Sequence, residues 1–198
     1  MADDKLTAMK GAKILLVEDN EINQLVTKKL LTYLGMKVTI AANGADAVRL
    51  LADSPQQIFD IVLMDIQMPI MNGREATRRI RKLPGPVHNI PIIAVSGNIF
   101  AEEIEENLAC GMNAQISKPI EIREVFDVLI GYLKNPSLRP PSFEQHLPAS
   151  HRKKIEIPGI DTEAGLTRVV GNKDLYEELL ATFVANNRGI VEVLYRNF

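Results

Sequence analysis

The chain has 198 residues, of which 46% are hydrophobic and 24% are charged, and its formal net charge is -2. This composition is typical of a globular protein of one or two domains and excludes an intrinsically disordered chain. The near-neutral charge and the lack of any apolar run of roughly 18–20 residues exclude an overall basic surface and a membrane span. We therefore expect no nucleic-acid partner and no membrane insertion by this chain.

Two further features concern the cellular compartment. The N-terminal segment carries two acids where a signal peptide has basic residues followed by an apolar core. The single cysteine, Cys110, cannot form an internal disulfide, which suits a reducing environment. A cytoplasmic location is therefore expected.

Between residues 14 and 133 a short apolar run followed by an amphipathic stretch occurs five times. Near-continuous apolar runs in the first, third and fourth repeats are typical of strands covered by helices on both faces. Each interval has room for one helix, so the pattern predicts a doubly wound parallel sheet of (βα)5 type over residues 12–134. The predicted strands are Ile14–Val17, Val38–Ala41, Ile61–Met64, Ile92–Val95 and Gln115–Ser117.

The predicted helices fill these intervals. Asn20 is the expected N-cap of the first helix, and Gly35 ends it. The helix at Ala101–Cys110 is predicted to place Ile104 and Leu108 on one apolar face. The remaining helices are predicted at Gly44–Asp53, Asn72–Lys82 and Glu121–Leu133.

The sequence changes character after residue 134. Residues 135–157 contain several prolines and no sustained hydrophobic period, which is typical of a semi-rigid linker. Residues 158–198 read as two helical stretches, and the apolar stripe of the second is still running when the sequence stops. Two helices bury such a stripe less well than a bundle does, so we expect an α-helical segment that forms an incomplete helix bundle.

Charged and hydroxyl side chains follow four of the predicted strands. Glu18 and Asp19 follow the first strand and Asp65 follows the third; Ser96 and Lys118 follow the fourth and fifth. Open parallel sheets bind ligands at this edge, and a flavodoxin-like order would make the first and third strands neighbours. Three carboxylates would then converge.

Converging carboxylates repel each other, and a hard cation such as Mg²⁺ relieves that repulsion while also binding phosphate oxygens. Lys118 adds a positive charge and Ser96 a hydroxyl donor. Asp65 would then have the surroundings of a nucleophile that accepts a phosphoryl group. Each residue alone is also compatible with a cap or a turn, but their joint position at the strand ends favours a functional site.

Four segments resemble the receiver domain of response regulators: ILLVEDN at 14–20, IVLMDIQMPIMNG at 61–73, IIAVSGN at 92–98 and GMNAQISKPI at 111–120. The resemblance covers about residues 12–134, and EDNEINQLV and GMN…ISKPI are most similar to receivers within hybrid sensor histidine kinases. It implies that Asp65 accepts a phosphoryl group from a phosphohistidine on a sensor histidine kinase or a histidine phosphotransfer (HPt) partner.

The resemblance also implies roles for the neighbouring residues. Asp19, Asp65 and the backbone carbonyl of Gln67 would ligate Mg²⁺, and Glu18 would act through water. Ser96 would move onto the phosphoryl group and Lys118 would pair with it. A surface at Ile22, Asn23 and Val26 would dock the phosphodonor, and the Lys118–Pro119 peptide is usually cis in the family.

One position departs from the family pattern. Three residues before the lysine the family often has an aromatic residue, whose rotation couples phosphorylation to a distal surface; here that residue is Gln115. We therefore expect the aromatic switch to be weak or absent, as in a relay that passes its phosphoryl group on.

A second resemblance lies in the C-terminal segment. PGIDTEAGLTRVVGNKDLYEELLATF at 158–183 resembles the opening of an HPt domain, which is a four-helix bundle. The phosphorylated histidine of that family has no counterpart, because His88, His146 and His151 lie in predicted loops or the linker. Residues 158–198 are therefore expected to be a partial HPt-like segment without its site.

Three other functions compete with that of a phosphoacceptor. An aspartyl-phosphate phosphohydrolase also uses an Asp nucleophile, a hydroxyl, a lysine and Mg²⁺, but it needs a second acid two residues later, where this chain has Gln67. A receiver that serves only as an interaction module would lack an acid or the lysine, and both are present. A transcription factor is disfavoured because nothing after the linker reads as a helix-turn-helix. We expect no stand-alone enzyme, and a fragment of a hybrid kinase is compatible with the pattern.

Overall fold

The structure is a computed structural model that describes residues 9–53, 58–97, 100–134, 164–166, 173–174, 176–181 and 183–185. The chain divides into two compact units, Met1–Glu144 and Gln145–Phe198. The predicted linker at 135–157 lies outside the described residues, as do the acidic N-terminal residues 1–8 and most of the predicted C-terminal helices.

Five parallel strands form one sheet in the first unit, in the order β2-β1-β3-β4-β5. β1 therefore lies between β2 and β3, which confirms the predicted doubly wound, flavodoxin-like sheet. Every residue of β3 and β4 is buried, as their near-continuous apolar sequences predict. The strands are β1 Lys13–Val17, β2 Lys37–Ala41, β3 Ile61–Asp65, β4 Ile92–Ser96 and β5 Ala114–Ser117.

Helices connect the strands close to the predicted positions. Asn20 caps the first helix through hydrogen bonds from the backbone N–H groups of Ile22 and Asn23, which confirms the predicted N-cap. Gly35, with φ of 84°, follows the end of that helix in a left-handed conformation. The helices are α1 Glu21–Tyr33, α2 Gly44–Ala52, α3 Gly73–Ile80, α4 Ala101–Ala109 and α5 Ile122–Lys134, with a short 3-10 helix at Pro86–Asn89 that the sequence pattern did not predict.

Helix α4 differs from its predicted amphipathic pattern. Leu108 is 41% exposed, whereas Asn107 is 1% exposed. Asn107 can occupy the buried position because its amide is hydrogen-bonded on both sides, to Gln115 at 2.8 Å and from Arg74 at 2.8 Å. Asn107 thus lies on the buried face of α4, where the apolar pattern had predicted Leu108.

The amino ends of β4 and β5 are joined by one arginine, Arg81, directly after α3. Burial lowers the pKa of Arg81 to about 10. A partly buried cation is tolerated where its donors are satisfied. The guanidinium donates at 2.8–2.9 Å to the carbonyl oxygens of His88, Ile90 and Gly111 and to the side-chain oxygen of Asn113.

The described residues of the second unit are helical. Tyr176 is 6% exposed and packs against Gly165, where a Cβ atom would lie 2.6 Å from the tyrosine hydroxyl oxygen. Lys173 and Glu177 form an ion pair at 3.5 Å, one helical turn apart. The larger prediction of an incomplete bundle over 158–198 stays a prediction.

Candidate functional site

The carboxyl ends of the strands bring together the acids that the sequence singled out. Glu18 directly follows β1 and Asp65 is the last residue of β3, the neighbour of β1 in the sheet. Single oxygen atoms of Glu18, Asp19 and Asp65 all lie within 4.8 Å of one another. Glu18 and Asp65 are buried, and Asp19 is exposed. The expected convergence of three carboxylates is therefore observed.

One ammonium group neutralises part of this charge. Lys118 follows β5, and its Nζ donates to Oδ2 of Asp65 at 2.7 Å and to Oε2 of Glu18 at 2.8 Å. Glu18 and Asp65 thus share this ammonium group. The Lys118–Pro119 peptide is cis, as expected from the family pattern.

The charge balance affects the two partners differently. Burial raises the pKa of Asp65, and the nearby charge of Glu18 raises it further, although the hydrogen bond from Lys118 opposes both. Burial acts to lower the pKa of Lys118, but the hydrogen bonds to Asp65 and Glu18 outweigh it and raise that pKa. Lys118 has two anionic partners, whereas Glu18 and Asp65 have the same ammonium group in common.

Glu18 is held by the start of helix α1. Its Oε1 accepts from the backbone N–H of Asn20 at 3.2 Å and from the side-chain amide of Asn23 at 3.1 Å. Its backbone carbonyl accepts from the amide of Gln24 at 2.7 Å. Both carboxylate oxygens of Glu18 are therefore already hydrogen-bonded, one of them to Lys118.

The loop after β3 fixes the other side of Asp65. The backbone N–H of Gln67 donates to Oδ1 of Asp65 at 3.1 Å. Gly73 lies so close to the backbone carbonyl of Asp65 that a Cβ atom there would overlap it. Ile70, in the same loop, has φ of 68° and is 84% exposed. A β-branched residue rarely adopts this conformation, so the loop path is held by its surroundings.

Ser96 ends β4, and its hydroxyl donates to Oε1 of Glu103 at 2.6 Å. Glu103 lies in the first turn of α4, where its negative charge also interacts favourably with the helix dipole. The contact between Glu103 and Ser96 was not predicted from the sequence. The spacing of seven residues between them, across a strand-to-helix connection, was the available signal.

Gln115 occupies the position where the family often has an aromatic residue. It is 5% exposed, and its side-chain oxygen accepts from the amide of Asn107 at 2.8 Å. The chain therefore has no aromatic ring at this position. That the switch between phosphorylation and a distal surface is weak or absent stays a prediction.

The predicted docking residues lie in the first two turns of α1. Asn23 is exposed, and Ile22 and Val26 are partly buried. The contact between Asn23 and Glu18 places this surface directly beside the acidic cluster.

Residues 14–130, more than half of the chain, match the model of the response regulator receiver domain. The chain belongs to this family. The matched residues include Glu18, Asp19 and Asp65 together with Ser96 and Lys118.

Relatives and solved structures agree with that assignment. The chain is 32% identical over 187 residues to the sensor histidine kinase GacS of Pseudomonas protegens and 36% identical over 152 residues to the probable histidine kinase 1 of Oryza sativa subsp. indica. These alignments cover 92% and 62% of this chain, but only 20% and 15% of those proteins. The chain therefore corresponds to a small part of each.

The receiver domain is also similar to solved receiver domains of histidine kinases. One is from the sensor histidine kinase PA1611 of Pseudomonas aeruginosa PAO1, with a magnesium ion coordinated in its active site cleft; it is 38% identical with a TM-score of 0.57. Another is from CKI1 of Arabidopsis thaliana, complexed with Mg²⁺, at 34% identity and a TM-score of 0.54. The matches cover 63% and 61% of this chain and 99% and 90% of those chains.

The donor set of the cluster fits a hard cation. Oxygen ligands are what Mg²⁺ prefers, and three carboxylates converge here, of which Lys118 contacts two. Among the described residues no helix has the length and apolar character needed to cross a membrane.

Proposed function

We propose that this receiver domain is the phosphoacceptor of a two-component phosphorelay and that Asp65 is the residue that accepts the phosphoryl group. The observation that carries the proposal is the position of Asp65: it is 6% exposed, and Lys118 contacts one of its oxygens at 2.7 Å. A carboxylate surrounded in this way is placed to bond phosphorus, because the adjacent cation stabilises the charge on the incoming group.

We further propose that Mg²⁺ binds beside Asp65. Asp19, Asp65 and the backbone carbonyl of Gln67 would be the direct ligands, and Glu18 would act through water. Support comes from the solved receiver domains that hold magnesium and from the hydrogen bonds that already occupy both oxygens of Glu18. When bound, the metal supplies positive charge that neutralises the phosphoryl oxygens.

The transfer is a displacement at phosphorus. An oxygen of Asp65 forms the new P–O bond while the P–N bond of the phosphohistidine breaks, and the electron pair of that bond leaves with the imidazole nitrogen. Lys118 would pair with one phosphoryl oxygen, and the Ser96 hydroxyl would donate to another. The product is an acyl phosphate on Asp65.

The phosphodonor is proposed to be a sensor histidine kinase or an HPt protein that docks at Ile22, Asn23 and Val26. Support comes from the histidine kinases that match this chain and from the position of Asn23 beside Glu18. The chain would act in the cytoplasm as part of a hybrid kinase or beside one, not as a stand-alone enzyme.

Intact mass spectrometry tests the central proposal. Incubation of the chain with acetyl phosphate and Mg²⁺ is expected to add one phosphoryl group, and chelation of the metal is expected to prevent it. Asp65→Asn removes the nucleophile and is expected to remain unmodified. Asp53→Asn changes an exposed acid and serves as the matched control.

Two results would count against the proposal: a label that survives Asp65→Asn, or loss of the label in Asp53→Asn. Release of inorganic phosphate through many turnovers of a phosphate ester would instead favour the phosphohydrolase alternative. The glutamine at position 67 argues against that outcome, because it cannot serve as the second acid of such an enzyme.

For the C-terminal segment we propose a partial HPt-like helical structure without a phosphorylation site. Its support is the sequence resemblance at 158–183 and the helical described residues of the second unit. Limited proteolysis is expected to cut residues 159–198 before the receiver domain. Equal resistance of both parts would contradict a loosely held segment.

A further inference from the structure

The position of Glu103 has a consequence for the phosphorylated state. Glu103 lines a groove of about 590 Å³ together with Gln67, the residue whose N–H contacts Asp65. Its carboxylate accepts a hydrogen bond from the Ser96 hydroxyl, with an O–O distance of 2.6 Å, and its side chain is 12% exposed. A short hydrogen bond to a charged acceptor is stronger than one between neutral groups.

We propose that Glu103 is a positioning residue that holds the Ser96 hydroxyl away from the phosphoryl group and so sets how readily the phosphorylated state forms. The inference rests on the proposed function of Asp65. A serine hydroxyl has a single proton to donate. Ser96 can therefore donate to Glu103 or to a phosphoryl oxygen on Asp65, but not to both at once.

The surroundings of Glu103 make this exchange feasible. Arg74 on helix α3 lies with its Nη2 atom 3.9 Å from the same Glu103 oxygen. When Ser96 turns away, the carboxylate keeps a cationic neighbour and is not left as an uncompensated buried charge. Arg74 is itself held, because its Nη1 pairs with Glu106 at 2.9 Å and its Nε donates to Asn107 at 2.8 Å.

Glu103 can affect the binding of a phosphoryl group in two ways. Loss of a negative charge near the site would favour any anionic ligand at Asp65, whether or not Ser96 takes part. Loss of the hydrogen bond acts only through Ser96. A double-mutant cycle between Glu103 and Ser96 distinguishes the two, since only the second effect disappears when the hydroxyl is absent.

The test is a titration of the full chain with beryllofluoride, a phosphoryl mimic, in the presence of Mg²⁺, followed by ¹⁹F NMR. Glu103→Ala is expected to bind about fivefold more tightly than the wild type. Glu103→Gln, which keeps the size and a neutral acceptor, is expected to lie between them. Glu102→Ala removes an exposed charge from the same helical turn and is expected to match the wild type.

In the Ser96→Ala background, Glu103→Ala is expected to change the affinity by less than about twofold. An equal gain in that background would overturn the proposal, because Glu103 would then act through charge alone. Wild-type affinity in both Glu103 variants would overturn it as well. Binding that is absent from the wild type, or unchanged in Asp65→Asn, would instead refute the proposed function and with it the role of Glu103.

Discussion

Each end of the sheet holds a partly buried cation, but the surroundings of the two cations differ. At the amino ends of β4 and β5, Arg81 donates to three backbone carbonyls and to the side chain of Asn113. At the carboxyl ends, Lys118 faces Glu18 and Asp65 at once, with Asp19 close by. One end matches a cation to neutral acceptors, and the other assembles more negative charge than its cation can balance.

The difference indicates which end serves stability and which serves function. Satisfied hydrogen bonds to a buried group favour the folded state, and removal of the group leaves its partners unpaired. A surplus of buried carboxylates opposes folding until a cation or a proton neutralises it. We therefore expect loss of the cation at the amino end to lower stability, and loss of a carboxylate at the carboxyl end to raise it.

The largest expected effect is at Arg81. Arg81→Met keeps much of the side-chain volume but takes this donor away from the carbonyl oxygens of His88, Ile90 and Gly111. The loss is expected to lower the free energy of unfolding by about 3 kcal/mol. Urea denaturation measures this loss. The fraction of folded molecules that acetyl phosphate labels on Asp65 is expected to stay unchanged, because Arg81 lies at the opposite end of the sheet.

Arg79→Met provides the control for that substitution. Arg79 lies two residues earlier on α3, and its side chain is 55% exposed and paired with Glu75. Exposed pairs of this kind contribute little, so its effect is expected to stay within about 0.5 kcal/mol. A loss in Arg79→Met as large as that in Arg81→Met would mean that Arg81 contributes no more to stability than an exposed arginine.

The sequence predicted the carboxyl end of the sheet much better than the amino end. Parallel strands present their carboxyl ends at one edge of the sheet. A sequence with acids, a hydroxyl and a lysine directly after its strands therefore predicts a ligand site there. Arg81 carries no such signal, since its partners are mostly backbone carbonyls that any sequence possesses. The burial of Asn107 in place of Leu108 was missed for a related reason: it depends on Arg74 and Gln115, which lie 33 and 8 residues away.

A smaller effect, of opposite sign, is expected at Asp65. Asp65→Asn leaves Glu18 and Lys118 as a matched pair and removes a buried carboxylate, so in metal-free buffer it is expected to raise the free energy of unfolding by about 1 kcal/mol. Thermal unfolding should show this as a rise of a few degrees in Tm. Mg²⁺ is expected to stabilise the wild type more than the variant, because the bound cation neutralises the charge that the substitution removes.

Lys118→Met provides the opposite test at the same site. It leaves Glu18 and Asp65 buried without their ammonium partner, so it is expected to lower Tm where Asp65→Asn raises it. A fall in Tm for both variants would mean that the contact between Asp65 and Lys118 stabilises the fold by more than the burial of the carboxylate costs. The carboxyl end would then serve stability as the amino end does, and the surplus charge would no longer explain why the cluster needs a cation.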